Sequence, residues 1–239
     1  ADLAGIDRIE VLRGPQSTLY GSSAMGGVIL LNTAHGCGTP TGNVSVGGGS
    51  FDSFGAAVSE AGGTSNLGYS VSLGYSETDN DRPNNHYERW SYATRVEYTP
   101  TPTTLIGATF RGQNGDYDEP NALAYADNPG VLGSDNYLGT LYGQVAVGES
   151  FVSRLTAGWH QNLYDWVEFW DTDNSRTILY ADNYRTTRRI LDWQNTWEAA
   201  TWATLVFGAN AEWSHFDSTT VTKKLSDRAY GFYLSGDAH

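Results

Sequence analysis

From Gly42 to the end of the chain, large apolar side chains alternate with small or polar ones at a period of two. Successive side chains of a strand point to opposite faces, so this pattern predicts strands with two unlike faces. Tyr69, Val71, Leu73 and Tyr75 share one face, against Ser70, Ser72 and Gly74. Trp90, Tyr92, Val96 and Tyr98 oppose Ser91, Ala93, Arg95 and Glu97, and Ile106, Ala108 and Phe110 oppose Thr109, Arg111 and Gln113. Leu155, Ala157 and Trp159 repeat the pattern, as do Leu205, Phe207, Ala209, Ala211 and Trp213. The expected strands cover 43–49, 54–61, 67–78, 89–99, 104–115, 137–147, 151–166, 188–199, 203–216 and 229–236.

A soluble sandwich and a membrane barrel both alternate in this way. Segments of about ten residues cross a bilayer at a tilt, whereas sandwich strands average about five or six. Trp90 and Tyr92 near one strand end, with Tyr98 near the other, suggest aromatic girdles flanking an apolar band. Short connections at 62–64, 100–102, 148–150 and 200–202 alternate with long ones at 79–88, 116–136, 169–187 and 218–227. Outer-membrane barrels have that rhythm of short periplasmic turns and long external loops.

A different pattern precedes the strands. Ile6, Ile9, Val11 and Leu12 form an apolar run that Gly14-Pro15 stops. Pro15 suits the first turn of a helix, Gln16 to Tyr20 spell one turn, and Gly21 suits the left-handed position that ends it. Ser22-Ser23-Ala24 make a small-residue loop, and Gly26-Gly27 lead into the strand Val28 to Leu31. Two misreadings fall away. Gly26-Gly27 lacks the Lys-Ser/Thr of a phosphate loop, and Ser17 lacks the Gly-x-Ser-x-Gly frame of a nucleophile elbow.

The ordered series Arg13, Gly14-Pro15, Leu19-Tyr20-Gly21 and Gly26-Gly27-Val28-Ile29 resembles the C-terminal part of the plug domain of TonB-dependent outer-membrane receptors. The resemblance is specific over Ile6–Thr33 and rests on pattern alone beyond it. It implies an all-β chain: the end of a plug, then the first ten or so antiparallel strands of a transmembrane barrel of about 22. The expected boundaries are 1–36 for the plug segment, 37–42 for a linker and 43–239 for barrel. Because the series starts partway through the plug pattern, the chain is expected to be a piece of a longer protein. The layout, a very short first hairpin followed by two acidic loops, is similar to the cobalamin-transporter branch.

Composition sharpens the exclusions. With 15 Tyr, 8 Trp and 8 Phe the chain is too aromatic for a disordered segment. The net charge of −13 argues against a nucleic-acid partner, which needs a basic face. No run of 18 apolar residues predicts a membrane helix. Cys37 stands alone beside His35, and His35, His86, His160, His215 and His239 are scattered without metal-partner spacing. No catalytic constellation appears, so no enzymatic activity is expected.

The resemblance implies active uptake of a scarce, bulky nutrient, an iron–siderophore, cobalamin or haem, across the outer membrane of a Gram-negative cell. The implied partners are the TonB complex of the inner membrane, outer-membrane lipid and lipopolysaccharide, and the small nutrient ligand. Alternatives of other classes are an outer-membrane barrel enzyme and a soluble β-rich binding module. No resident cofactor is implied, with calcium the one candidate. Asp79, Asp81, Asp116, Asp118, Glu119 and Asp127 fall in two consecutive predicted loops, and hard cations take clustered carboxylate oxygens. Asp116, Asp118 and Asp127 are the candidate ligands. Among loop aromatics, Tyr117, Tyr125, Trp170, Tyr180 and Tyr184 are candidates to stack on a ligand.

Overall fold

The computed structural model describes residues 5–15, 25–120, 129–172, 175–221 and 224–238. Two strands near the start, β1 (Ile6–Arg13) and β2 (Gly27–Thr33), form an antiparallel hairpin sheet of their own. Gly14 ends β1 with φ of 93°, a left-handed conformation that glycine adopts without penalty. The predicted helical turn at 16–20 and Gly21 lie outside the described residues.

Ten further strands make one sheet in strict sequence order. They are β3 (Thr41–Gly48), β4 (Phe54–Gly63), β5 (Leu67–Thr78), β6 (Tyr87–Thr101), β7 (Thr104–Glu119), β8 (Gly130–Val147), β9 (Phe151–Thr172), β10 (Ser175–Ala200), β11 (Ala203–Ser218) and β12 (Leu225–Ala238). Every neighbour is antiparallel, as expected for an up-and-down barrel wall.

All ten expected strands are present, but two of the expected long loops are shortened by strand. The segment 116–136 narrows to 120–129, and of 169–187 only 173–174, outside the described residues, fall between β9 and β10. The physical reason is that the backbone ladder continues beyond the expected strand ends. Asp116 pairs with Gly133, Asp118 with Val131, and Trp166 with Asp182. Ring pairs Tyr87–Tyr117 and Trp166–Tyr180, 4.9 and 5.1 Å apart, hold these extensions together.

The burial is inverted relative to a soluble protein. On β5, Ser70 and Ser72 are each 6% exposed, while Val71 and Leu73 are 49% and 41% exposed. Val58, Val96, Ile106, Leu141, Leu155, Leu191 and Phe232 are likewise exposed. A soluble sandwich would bury this face; lipid is the solvent it fits. The two candidate architectures are thus separated by which face is covered.

What touches the small-residue face is the chain at either end of the first sheet. Gly5 lies against Ser72, where a Cβ would approach the Ser72 hydroxyl to 2.6 Å. Gly36 passes the backbone carbonyls of Tyr69 and Gly62 so closely that a Cβ would fall 1.8 Å and 2.3 Å from them. Gly5 and Gly36, which flank the hairpin, therefore lie against the inner wall of β4 and β5, and the Gly63 N–H donates to the Gly38 carbonyl just before β3 begins.

Candidate functional site

Contact with the chain at the ends of the hairpin sheet fixes which face is inner, and the pairing register carries that face from strand to strand. Inner positions are odd on β3, β4, β6, β7 and β12, and even on β5, β8, β9, β10 and β11. At mid-wall the inner face carries a charged network. The Arg95 guanidinium lies 2.7 Å from the Glu97 carboxylate, and these side chains are only 15% and 13% exposed. The Tyr142 hydroxyl also donates to Glu97, and Arg154 sits 4.4 Å over the Tyr142 ring. Tyr142 reaches across because its neighbour Gly107 has no side chain; a Cβ there would meet the Tyr142 ring at 2.3 Å. Two bonds tie this network to the plug segment: His35 Nδ1 lies 2.9 Å from Glu97, and Arg95 donates to the Thr33 hydroxyl at 3.4 Å.

Above the plug segment, where the strands rise past the bilayer, the inner face turns aromatic. Tyr87, Tyr117, Tyr164, Trp166, Tyr180, Tyr184 and Phe216 all occupy inner positions. They pack as Tyr87–Tyr117, Trp166–Tyr180, Tyr164–Tyr184 and Tyr184–Phe216, with centroids 4.9 to 6.1 Å apart. Burial pushes the Tyr117 and Tyr184 phenols up, so both remain hydrogen-bond donors at neutral pH. The Trp166 indole N–H is buried and has no partner among the described residues. Offset aromatic faces make a surface that stacks on a planar or conjugated solute.

A hydrogen-bonded turn adjoins this wall. The hydroxyls of Ser218, Thr219 and Thr220 donate to the Asp182 carboxylate. Partial desolvation pushes its pKa up, but these donors outweigh that and hold it below the ordinary carboxylate range. In the connection 79–86, Asp79 raises the His86 pKa through a 2.7 Å hydrogen bond.

The sequence-derived candidates fare unevenly. Tyr117, Tyr180 and Tyr184 do converge on one face, while Tyr125 and the Trp170 side chain lie outside the described residues. Tyr87, Tyr164, Trp166 and Phe216 were missed, although the period-two alternation continues straight through them. Of the calcium candidates, Asp116 and Asp118 sit on the outer face of β7 in strand, not loop, because the ladder to β8 continues there. Asp127 lies outside the described residues, and Asp79 is engaged with His86. Among the described residues no three His, Cys, Asp or Glu side chains stand close enough to hold a metal ion. Arg13, Gly14 and Pro15 stand at the end of β1, and Gly26-Gly27 at the start of β2; Gly27 pairs with Arg13. Leu19, Tyr20 and Gly21 lie outside the described residues.

An antiparallel wall with a lipid-exposed apolar face and an inner face occupied by a separate hairpin defines a plugged outer-membrane barrel. Residues 1–28 match the family model of the TonB-dependent receptor plug domain. A vitamin B12 transporter of Photobacterium profundum is 43% identical over 67 residues, 28% of this chain and 11% of that protein. An iron-regulated outer membrane virulence protein of Vibrio cholerae is 68% identical over 31 residues, 13% of this chain and 5% of that protein.

Among solved structures, a receptor in complex with pyocin S2 superposes with a TM-score of 0.82 at 18% identity, over 99% of this chain and 39% of its own. The ferripyoverdine receptor of Pseudomonas aeruginosa superposes at 0.79 with 19% identity, over 99% of this chain and 40% of its own. At such identity the solved structures speak for the fold alone. The chain spans about two-fifths of the length of these receptors.

Proposed function

We propose that the complete protein takes up a scarce, bulky chelate across the outer membrane, with ferric siderophore as the cargo best supported. The observation that carries this reading is the inner aromatic wall above the plug segment: Tyr87, Tyr117, Tyr164, Trp166, Tyr180 and Tyr184. A solute bound there stacks on ring faces and accepts hydrogen bonds from phenol groups, as conjugated iron ligands do. A filled lumen blocks free diffusion, so release requires the plug to rearrange, with the TonB complex of the inner membrane as the energy-coupling partner. Ferripyoverdine is bound by one receptor of like fold, and the iron-regulated relative points the same way. Cobalamin is the second reading, favoured by the vitamin B12 transporter relative. Transport, not catalysis, is the activity that this surface supports.

The test is ligand binding by the complete receptor in detergent, followed by tryptophan fluorescence. Ferric siderophores of catecholate and hydroxamate type, cyanocobalamin and haemin are titrated separately. Trp166→Ala and Tyr184→Ala are expected to weaken binding of the true cargo about tenfold each. Trp90→Ala, on the outer face, is expected to leave it unchanged. Binding indifferent to the inner substitutions overturns the site, and no binding of any chelate overturns the uptake reading.

A further inference from the structure

The backbone ladder between β10 and β11 ends at the pair Tyr184–Ser218, and above it β10 runs on beside β9. Asp182 stands just above that last pair, on the inner face of β10, and gathers the chain where it leaves β11. Its carboxylate accepts the hydroxyls of Ser218, Thr219 and Thr220, each at 2.9 Å, and the Thr220 N–H at 3.3 Å. From its own strand the Tyr180 hydroxyl donates to it at 3.3 Å. Two more bonds join the same segments. The Thr219 N–H donates to the Asn183 carbonyl, and the Asn183 N–H donates to the Thr219 hydroxyl, both at 3.0 Å.

A carboxylate offers about four lone-pair positions, and here five donors crowd them. Asp182 therefore has no acceptor left for a solute, although it faces the same space as the aromatic wall. What it does have is position. Trp166 is its direct partner on β9, and Tyr180 and Tyr184 are its same-face neighbours on β10. Tyr180 packs edge-on against Trp166 at 5.1 Å. Tyr184 lies 4.9 Å from Tyr164 and 6.1 Å from Phe216, which precedes Ser218 on the inner face of β11. Rings from three strands thus meet around one saturated anchor. The end of a ladder is where strands fray first, so the anchor sits where it restrains most.

We propose that Asp182 is a positioning residue for the cargo site: by fastening the 218–220 turn to β10, it holds Trp166, Tyr180, Tyr184 and Phe216 in one arrangement before cargo arrives. The inference rests on the aromatic wall being the cargo surface. A ring set that occupies its binding arrangement for only a fraction of the time binds more weakly by that fraction, and the loss falls on association. A residue that touches cargo behaves differently, because its removal speeds dissociation.

The experiment uses the complete receptor in detergent, with a ferric trihydroxamate, a ferric tricatecholate, cyanocobalamin and haemin as probes. Binding kinetics are measured for each probe that the unmutated protein binds. Asp182→Ala is expected to slow association about tenfold and to leave dissociation within about twofold, whereas Tyr184→Ala is expected to speed dissociation. Ser218→Ala with Thr220→Val removes donors from the far side of the same contact. That pair is expected to reproduce the Asp182→Ala loss and, combined with it, to add nothing. Asp182→Asn, which keeps one acceptor oxygen, is expected to restore most of the association rate. Without any probe, amide exchange over 178–186 is expected to rise in Asp182→Ala, while exchange in β5 stays unchanged because the barrel is folded. Should Asp182→Ala fold poorly, the donor-side pair carries the test alone. Unchanged exchange over 178–186, a loss that appears in dissociation, or additive losses each overturn the proposal. Equal binding by the unmutated protein and Asp182→Ala overturns this inference alone; failure of all four probes to bind the unmutated receptor overturns the uptake reading and this inference with it.

Discussion

His35 Nδ1 lies 2.9 Å from the Glu97 carboxylate, joining the segment just after the plug hairpin to β6, the fourth strand of the wall, across 62 positions of sequence. Glu97 also receives Arg95 and Tyr142, so one carboxylate gathers plug, wall and a neighbouring strand. Glu97→Gln is expected to destabilise the docked plug segment by about 2–4 kcal/mol, because it leaves the half-buried Arg95 charge uncompensated. His35→Ala removes an exposed partner and is expected to cost no more than about 1 kcal/mol. Thermal unfolding of the complete receptor, with trypsin access to residues 1–36, reads both; equal costs would mean that Glu97 does not organise the contact.

The two faces of the wall predict opposite tolerances. Leu73→Arg and Phe207→Arg place charge in lipid near mid-height and are expected to cost about 2–4 kcal/mol each. Thr196→Arg, at an inner and half-buried position, is expected to cost much less. The smallest inner positions are not permissive, however. Ser72 lies against Gly5, and Gly208 lies beneath Tyr233, whose ring a Cβ would meet at 2.5 Å. Urea unfolding in lipid vesicles measures the series, and similar costs for Leu73→Arg and Thr196→Arg would contradict the face assignment.

Asn195 is fully buried on the outer face, paired with Ser153 and Phe207, and neither amide atom has a hydrogen-bond partner among the described residues. An orphaned amide in an apolar setting costs about 1–3 kcal/mol. Asn195→Leu, close in volume, is expected to recover part of that and raise the unfolding midpoint. A lowered midpoint would mean that the amide is satisfied in the folded barrel.

The connection 79–86 is expected to tighten in mild acid. Asp79 raises the His86 pKa, first through their hydrogen bond, and Asp118 and Glu88 add to the shift. A raised folded-state pKa gives stability that is complete below the ordinary imidazole value, about 6.5, and lost as pH rises through the raised value. Both side chains are largely exposed, so the effect is local and screened by salt. Amide hydrogen exchange over 79–86 in the complete receptor, taken relative to the intrinsic rate at each pH, is expected to be more protected at about pH 5.5 than at about pH 8.5, and His86→Ala is expected to abolish the difference.

The sequence by itself determined the strands and their order. A period-two pattern is a local property: Tyr69 to Tyr75 reads as a two-faced strand with no knowledge of its neighbours. The ordered series around Arg13-Gly14-Pro15 likewise marked a plug segment without a fold. What the sequence did not determine was which face is covered, because Ser72 inward and Leu73 inward give the same alternation. Only the chain flanking the hairpin, lying against Ser72 and Gly68, decides that. Strand height was also hidden: Asp116 and Asp118 look like loop acids, yet backbone bonds to β8 and the Tyr87–Tyr117 contact keep them in strand. The aromatic wall was half visible for the same reason. Tyr180 and Tyr184 stand out in sequence, but their meeting with Trp166 and Tyr164 depends on the β9–β10 register, including its shift between Ile178 and Tyr180. Pairing register is a sum of long-range backbone contacts, and no local run of residues contains it.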